Sequence, residues 1–114
     1  VAVSRTMGRR SALHMLLTGQ PIPAVEAERR GIINAAVSPE ELEKEVNQVA
    51  ALIAAKAPLA VQMGKRNFYQ QLQLPISEAY STSSQAMVNN IMTKDAFEGI
   101  SAFLEKRKPA WSRT

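Results

Sequence analysis

Apolar residues recur every three or four positions along most of this chain, which is the spacing of amphipathic α-helices. The clearest stripe, between residues 38 and 56, consists of Leu42, Val46, Val49, Ala50 and Ile53. Further helices are predicted over about 8–18, 24–30, 58–72, 76–92 and from 93 to the residues before Pro109. The brief apolar run 32–37 is the only strand candidate. The pattern predicts a mainly α chain with at most one short strand.

Residues with special backbone preferences punctuate these helices. Gly19 and Gly31 follow predicted helices, where a left-handed glycine commonly ends a helix. Ser38 is predicted to be an N-cap, with Pro39 at the first helical position and Glu41 completing a capping box. The longest predicted loops are only a few residues, and the 114 residues fit a single helical domain spanning 1–114.

The last predicted helix is amphipathic, is capped by Thr93 and becomes basic at Lys106-Arg107-Lys108. Phe103 and Lys106 are three residues apart, so on a continuous helix they share a face. An aromatic ring beside an ammonium group suits a nucleotide, since the ring stacks on a base and the lysine meets a phosphate. The alternative is a solvated cation cluster that complements the helix dipole, with Phe103 in the core.

Other candidate chemical groups have structural explanations. His14 is the only histidine and has no acidic residue on its own helix, which favours a structural or surface role. Glu26 and Glu28 point to different sides of a short helix, and Asp95 and Glu98 lie near the positive end of the last one. No cysteine, glycine-rich phosphate loop or metal-ligand cluster is present in the sequence. No catalytic or metal-binding residue is therefore assigned.

Charge and hydropathy limit the partners that we expect. The net charge is +4 and the sequence pI about 9.8, which permits an anionic partner without choosing one. Nucleic acid is disfavoured, because no second basic stretch matches the density of residues 106–108. No apolar run approaches the roughly 18 residues of a membrane span, so no membrane partner is predicted.

Four blocks, taken in order, resemble the C-terminal portion of the crotonase superfamily, the enoyl-CoA hydratases and isomerases. They are Ala12–Gly19 with its Leu-Thr-Gly ending, Ile22–Asn34 with Glu26-Ala27 and Gly31, Val37–Leu42 with Pro39, and Asp95–Pro109 with Glu98-Gly99 and Lys106-Arg107. The runs 65–72 and 84–88 look most like the mitochondrial-type enoyl-CoA-hydratase-domain-containing subgroup and its bacterial relatives. The resemblance implies the helical trimerisation part of a crotonase-like fold, and we expect a C-terminal fragment of a longer protein.

The resemblance also implies a function. Such proteins act on acyl-CoA thioesters in fatty-acid metabolism, need no cofactor because coenzyme A is part of the substrate, and form homo-oligomers, either trimers or hexamers. In some members a phenylalanine and a lysine of the last helix reach the CoA nucleotide of a neighbouring subunit, and by motif position these are Phe103 and Lys106. The oxyanion hole and the catalytic glutamates belong to an N-terminal region with no counterpart here, so this piece alone should be inactive.

The resemblance also implies a location in the cell. The location would be cytoplasmic in a bacterium and the mitochondrial matrix in a eukaryote. The alternative function is a stand-alone helical protein-interaction module without an enzymatic role, because exposed apolar helix faces usually mark interfaces. Acyl-chain preference, and the choice among hydratase, isomerase, hydrolase and decarboxylase, are not encoded in these residues.

Overall fold

In the computed structural model, which describes residues 1–112, the chain folds into α-helices joined by turns and short loops. The helices are α1 (Ala2–Thr6), α2 (Arg9–Thr18), α3 (Ala24–Arg29), α4 (Leu42–Ala54), α5 (Pro58–Gln71), α6 (Ile76–Ile91) and α7 (Lys94–Leu104). No strand forms among these 112 residues. The mainly α prediction is confirmed, and only the five-residue α1 was not predicted.

The helices belong to two compact units, Val1–Val46 and a second unit that begins at Asn47. In the first unit α1 packs on α2, and Met7 and Ala12 are buried. In the second unit α5 packs on α6 and α6 on α7. The buried apolar residues of this second unit are Ala57, Ala79 and Ala102, so its helices approach each other over small side chains.

Three predicted helix boundaries are confirmed at atomic detail. Gly19 has φ 64°, and its N–H donates to Met15 O at 3.0 Å. Gly31 has φ 74° and donates to Glu28 O at 2.9 Å, while Ile32 donates to Ala27 O at 2.9 Å, which is a Schellman motif after α3. Thr93 caps α7 by accepting the N–H of Ala96 on its Oγ1 at 3.2 Å.

Two predictions about residues 32–41 are wrong. The run 32–37 is not a strand, since no ladder partner lies beside it in the described part of the chain and the Ala36 N–H instead donates to Glu28 Oε2 at 3.0 Å. The helix predicted from Ser38 begins at Leu42, because 39–41 form a tight turn closed by Glu41 N–H on Ser38 O at 3.0 Å.

The chain exposes far more surface than its mass requires. Its accessible area is 9510 Å², whereas a compact monomer of 12.5 kDa exposes about 6,200 Å² and two separate bodies of half that mass about 7,400 Å². The apolar stripe of α4 is among the exposed groups, together with most large aliphatic side chains. The side chains that would form a larger core are present but not covered.

Candidate nucleotide-contact site at the end of the last helix

Helix α7 presents two chemically different faces. Asp95 and Ala102 are almost completely buried on one face. The opposite face carries Phe97, Ile100 and Leu104, which are 63%, 51% and 73% exposed. These last three residues are called the α7 apolar stripe below. The predicted amphipathicity is confirmed, but the apolar side is the one that solvent reaches.

The helix ends at Leu104, earlier than the sequence suggested. Lys106 has φ 54° and is the only non-glycine residue among the described ones with a positive φ. Its N–H donates to Phe103 O at 3.2 Å and the N–H of Arg107 donates to Ala102 O at 3.0 Å, which again is a Schellman motif. Lys106 therefore occupies the position that usually holds glycine. The three basic residues lie beyond the helix, so the shared helix face predicted for Phe103 and Lys106 is absent.

After this turn the chain runs back along α7 and is fixed to it by a carboxylate. Glu98 Oε1 accepts from Nη1 of Arg107 at 2.5 Å, and Oε2 accepts from Nη2 at 3.0 Å. The same Oε1 also accepts the backbone N–H of Ala110 at 2.7 Å. Arg107 Nε donates in addition to Glu105 Oε2 at 2.6 Å. The returning segment is therefore held by a bidentate, charge-assisted pair, the stronger kind of surface ion pair.

Two further contacts anchor the end of the described chain. Asp95 Oδ1 accepts from the backbone N and the hydroxyl of Ser112 at 2.7 and 2.8 Å. Its other oxygen, Oδ2, is buried without a hydrogen-bond partner among the described residues. Trp111 donates from Nε1 to Ala55 O at 2.8 Å. Asp95 and Glu98 thus do more than complement the helix dipole, and Glu98 lies in the second turn rather than the first.

The ion pair shifts the acid–base properties of its members. Hydrogen bonding to Arg107 lowers the pKa of Glu98 from 4.5 to about 2, with the Ala110 N–H as the next contribution. The same hydrogen bonds raise the pKa of Arg107 above its ordinary value. Both groups remain charged over the physiological pH range.

Phe103 and Lys106 are both open to an external ligand. The Phe103 side chain is 83% exposed, so the alternative that placed it in the core is wrong. Lys106 is exposed as well, and no carboxylate of residues 1–112 forms a salt bridge with it. Arg107, in contrast, is engaged by two carboxylates. An exposed ring and an unpaired ammonium group three residues apart suit a ligand with an aromatic base and a phosphate.

The other sequence candidates belong to the first unit. His14 is exposed and lines an open groove with Arg10, Ser11, Leu13 and Arg30. Glu26 accepts from Nε of Arg30 at 2.6 Å, and this hydrogen bond lowers the pKa of Glu26. Glu28 accepts a hydrogen bond from the backbone N–H of Ala36. The structure brings none of these residues together as an acid–base pair.

Residues 1–112 contain no group of three or more histidine, cysteine or acidic side chains placed to hold a metal ion. No helix among them combines the length and apolar character needed to cross a bilayer.

Sequence reasoning missed the left-handed turn at Lys106 and the returning segment. A signal was present in Gly99, because a glycine inside a helical pattern usually has a packing reason. A Cβ at Gly99 would lie 3.4 Å from ring atoms Cη2 and Cζ3 of Trp111. The glycine and the tryptophan twelve residues later together indicate a chain that folds back, but neither identifies the turn residue.

Comparison with known proteins resolves the family. The family model described as enoyl-CoA hydratase/isomerase matches residues 1–114. The chain belongs to the enoyl-CoA hydratase/isomerase family. Among related sequences, the rat mitochondrial enoyl-CoA hydratase domain-containing protein 3 is 48% identical over 112 residues, which are 98% of this chain and 37% of the relative. A crotonyl-CoA hydratase of Syntrophomonas wolfei is 40% identical over 104 residues, which are 91% of this chain and 40% of that protein.

Solved structures of family members superpose closely on these helices. An enoyl-CoA hydratase of Mycobacterium smegmatis gives a TM-score of 0.93 at 42% identity, over 96% of this chain and 42% of the other. The human enoyl-CoA hydratase domain-containing protein 3 gives 0.91 at 44% identity, over 96% and 43%. The chain spans about two fifths of the length of the family members it matches. The predicted family, its mitochondrial-type subgroup and the helical part of the fold are confirmed.

Proposed function

We propose that this chain is the C-terminal helical part of an enoyl-CoA hydratase/isomerase that acts on acyl-CoA thioesters in fatty-acid metabolism. Its contributions are packing, oligomerisation and a contact with the CoA nucleotide. The observation that carries the proposal is the presence, at the turn after α7, of an exposed Phe103 and of an exposed Lys106 that forms no salt bridge within residues 1–112. Family membership supports acyl-CoA as the substrate class. The side chains at the turn are suited to bind the nucleotide end of such a substrate.

The two residues have complementary roles in this contact. The Phe103 ring offers a face on which adenine can stack, and little of that face is covered by the protein's own atoms. Lys106 offers an ammonium group to a CoA phosphate as a compact point charge. The neighbouring guanidinium of Arg107 is already bound by Glu98 and Glu105, so it is less free to compete for the phosphate. The contact would be made to a CoA molecule held by a neighbouring subunit.

The catalytic groups lie elsewhere in this proposal. None of the described residues is assigned to the oxyanion hole or to proton transfer, and coenzyme A enters as part of the substrate, with no separate cofactor. The protein would assemble as a homo-oligomer, either a trimer or a hexamer. It would lie in the mitochondrial matrix if eukaryotic, in keeping with the mitochondrial rat relative, and in the cytoplasm if bacterial.

Hydration of crotonyl-CoA tests the proposal. We expect the 114 residues alone to show no turnover, and the longest natural polypeptide that contains them to hydrate the substrate. In that polypeptide, Phe103→Ala and Lys106→Gln should raise KM more than they lower kcat, because they remove binding to a remote part of the substrate. Turnover by the 114 residues alone, or an unchanged KM in both variants, would contradict it.

A stand-alone helical interaction module is the second candidate, favoured by the exposed α7 apolar stripe. Contiguous exposed apolar surface of this kind marks interaction sites. The hydration assay separates the two candidates. An interaction module would self-associate or bind a protein partner, yet no natural polypeptide containing the chain would act on an acyl-CoA.

A further inference from the structure

A lysine in the left-handed region is unusual and calls for an explanation. The left-handed conformation brings Cβ close to the following carbonyl oxygen, so glycine is the usual residue at this position of a Schellman motif. At the two other left-handed positions among residues 1–112, after α2 and after α3, the residue is glycine. Only the turn after α7 uses a side chain there, and that side chain is the exposed ammonium group of Lys106. Such backbone outliers persist where the surroundings hold them, and they concentrate at functional sites.

The residues on either side of Lys106 are bound to each other and to the helix. Glu105 and Arg107, its two sequence neighbours, are joined by the 2.6 Å bond from Nε to Oε2. Glu98, in the second turn of α7, accepts hydrogen bonds from Nη1 and Nη2 of the same guanidinium. The Glu98 carboxylate also accepts a hydrogen bond from the N–H of Ala110. This one carboxylate therefore holds the chain at two points, Arg107 and Ala110. Lys106 lies in the sequence between the bonded residues Glu105 and Arg107, and its side chain forms no salt bridge within residues 1–112.

We propose that Glu98, acting through Arg107, is a positioning residue that holds Lys106 in its left-handed conformation and so presents the ammonium group to the CoA phosphate. The inference rests on the proposed nucleotide contact. The bidentate fork of Arg107 fixes direction as well as charge, which a lysine at that position could not do. The pairing also engages the guanidinium donors of Arg107, whereas the ammonium group of Lys106 stays available to a ligand.

Two readouts on the longest natural polypeptide that contains this chain test the inference. The first is trypsin cleavage after Lys106 and Arg107, which reports the order of the turn without any ligand. The second is the affinity for coenzyme A by isothermal titration. The variants are Glu98→Gln and Arg107→Lys, which break the bidentate pair. Glu78→Gln on α6 is a matched control, because Glu78 is exposed and forms no salt bridge with the described residues. Lys106→Asn tests the charge alone, since asparagine tolerates the left-handed region.

We expect Glu98→Gln to accelerate cleavage and to weaken CoA binding several-fold, with Arg107→Lys weakening it similarly. Glu78→Gln should change neither readout, and Lys106→Arg should retain most of the affinity. Lys106→Asn should weaken CoA binding while cleavage after Arg107 stays slow. Thermal unfolding followed by circular dichroism checks that each variant folds, and Arg107→Lys carries the test if Glu98→Gln does not fold.

The outcomes separate the two proposals. If Lys106→Asn weakens binding but Glu98→Gln does not, the nucleotide contact stands and the positioning role is wrong. If Glu98→Gln weakens binding without faster cleavage, Glu98 acts in another way and the inference is again wrong. If neither Lys106→Asn nor Phe103→Ala changes the affinity, the nucleotide contact itself fails, whatever the cleavage rates show.

Discussion

The indole Nε1 of Trp111 donates a hydrogen bond to the backbone carbonyl of Ala55, 2.8 Å away and 56 residues earlier in the chain. Ala55 directly follows α4, where the last carbonyls of a helix have no partner within it. The same indole lies against Gly99, whose missing side chain leaves room for the ring. Trp111 thus donates to a carbonyl at the end of α4 and packs against the middle of α7.

Trp111→Phe should therefore destabilise the chain. The variant keeps an aromatic ring but leaves the Ala55 carbonyl without its donor, and the net value of one such bond is about 1 kcal/mol. Urea unfolding followed by far-UV circular dichroism measures the loss. Tyr80→Phe is the control, because the Tyr80 side chain is 72% exposed and its hydroxyl forms no hydrogen bond with the described residues. Equal unfolding midpoints for the two variants would contradict the role of the indole.

The pKa of Glu98 predicts an acid-dependent loss of stability. It is about 2 in the folded chain and near 4.5 for a free glutamate, so the unfolded chain takes up the proton first as pH falls. The stabilisation is fully present above the ordinary value and is lost as pH falls from about 4.5 through about 2. The difference in unfolding free energy between the wild type and Glu98→Gln should accordingly be constant near neutral pH and shrink below pH 4.5. A difference that stays constant to pH 2 would show that the pair does not stabilise the fold.

Local sequence signals predicted the helices and most of their boundaries because those features depend on neighbouring residues. Gly19, Gly31 and Thr93 act within one turn of their own helix, and each was correctly placed. The start of α4 was wrong because Ser38, Pro39 and Glu41 suit either an α-helical turn or the tight turn that forms. Local preferences cannot choose between the two, since these residue types are compatible with both.

The candidate site was harder to predict because it depends on contacts across many residues. Phe103 and Lys106 were identified from the family motif, but their geometry was inferred from an unbroken helix. What stops the helix at Leu104 is a left-handed residue that is not glycine, held by Glu98 and Arg107, nine positions apart. No local preference indicates such a turn, since lysine is a good helix former and disfavours it.

The packing of α5 on α6 includes one polar contact whose two ends should respond differently to mutation. Asn67 donates from Nδ2 to Ser83 Oγ at 3.1 Å, while its Oδ1 is buried without a partner among the described residues. Ser83→Ala leaves the amide donor unpaired as well and should cost about 1–2 kcal/mol. Asn67→Leu, which keeps the number of side-chain heavy atoms and removes both amide groups, leaves only the half-buried Ser83 hydroxyl without its partner and should cost less than Ser83→Ala. Urea midpoints rank the variants, and an Asn67→Leu protein less stable than Ser83→Ala would contradict this reasoning.

The α7 apolar stripe should mediate self-association. Phe97, Ile100 and Leu104 are exposed side by side on one helix face, and burying a leucine contributes about 1.5–3 kcal/mol. We expect the 114-residue chain to associate at micromolar concentrations, and Leu104→Glu to weaken association at least about tenfold, because each 1.4 kcal/mol corresponds to a factor of ten. Lys94→Ala, on an exposed position of the same helix, makes the same change in net charge and should associate like the wild type. Sedimentation velocity measures both, with circular dichroism confirming unchanged helix content. A strictly monomeric wild type at high concentration would count against both the oligomerisation role and the interaction module, whereas equal weakening by both variants would attribute the association to charge.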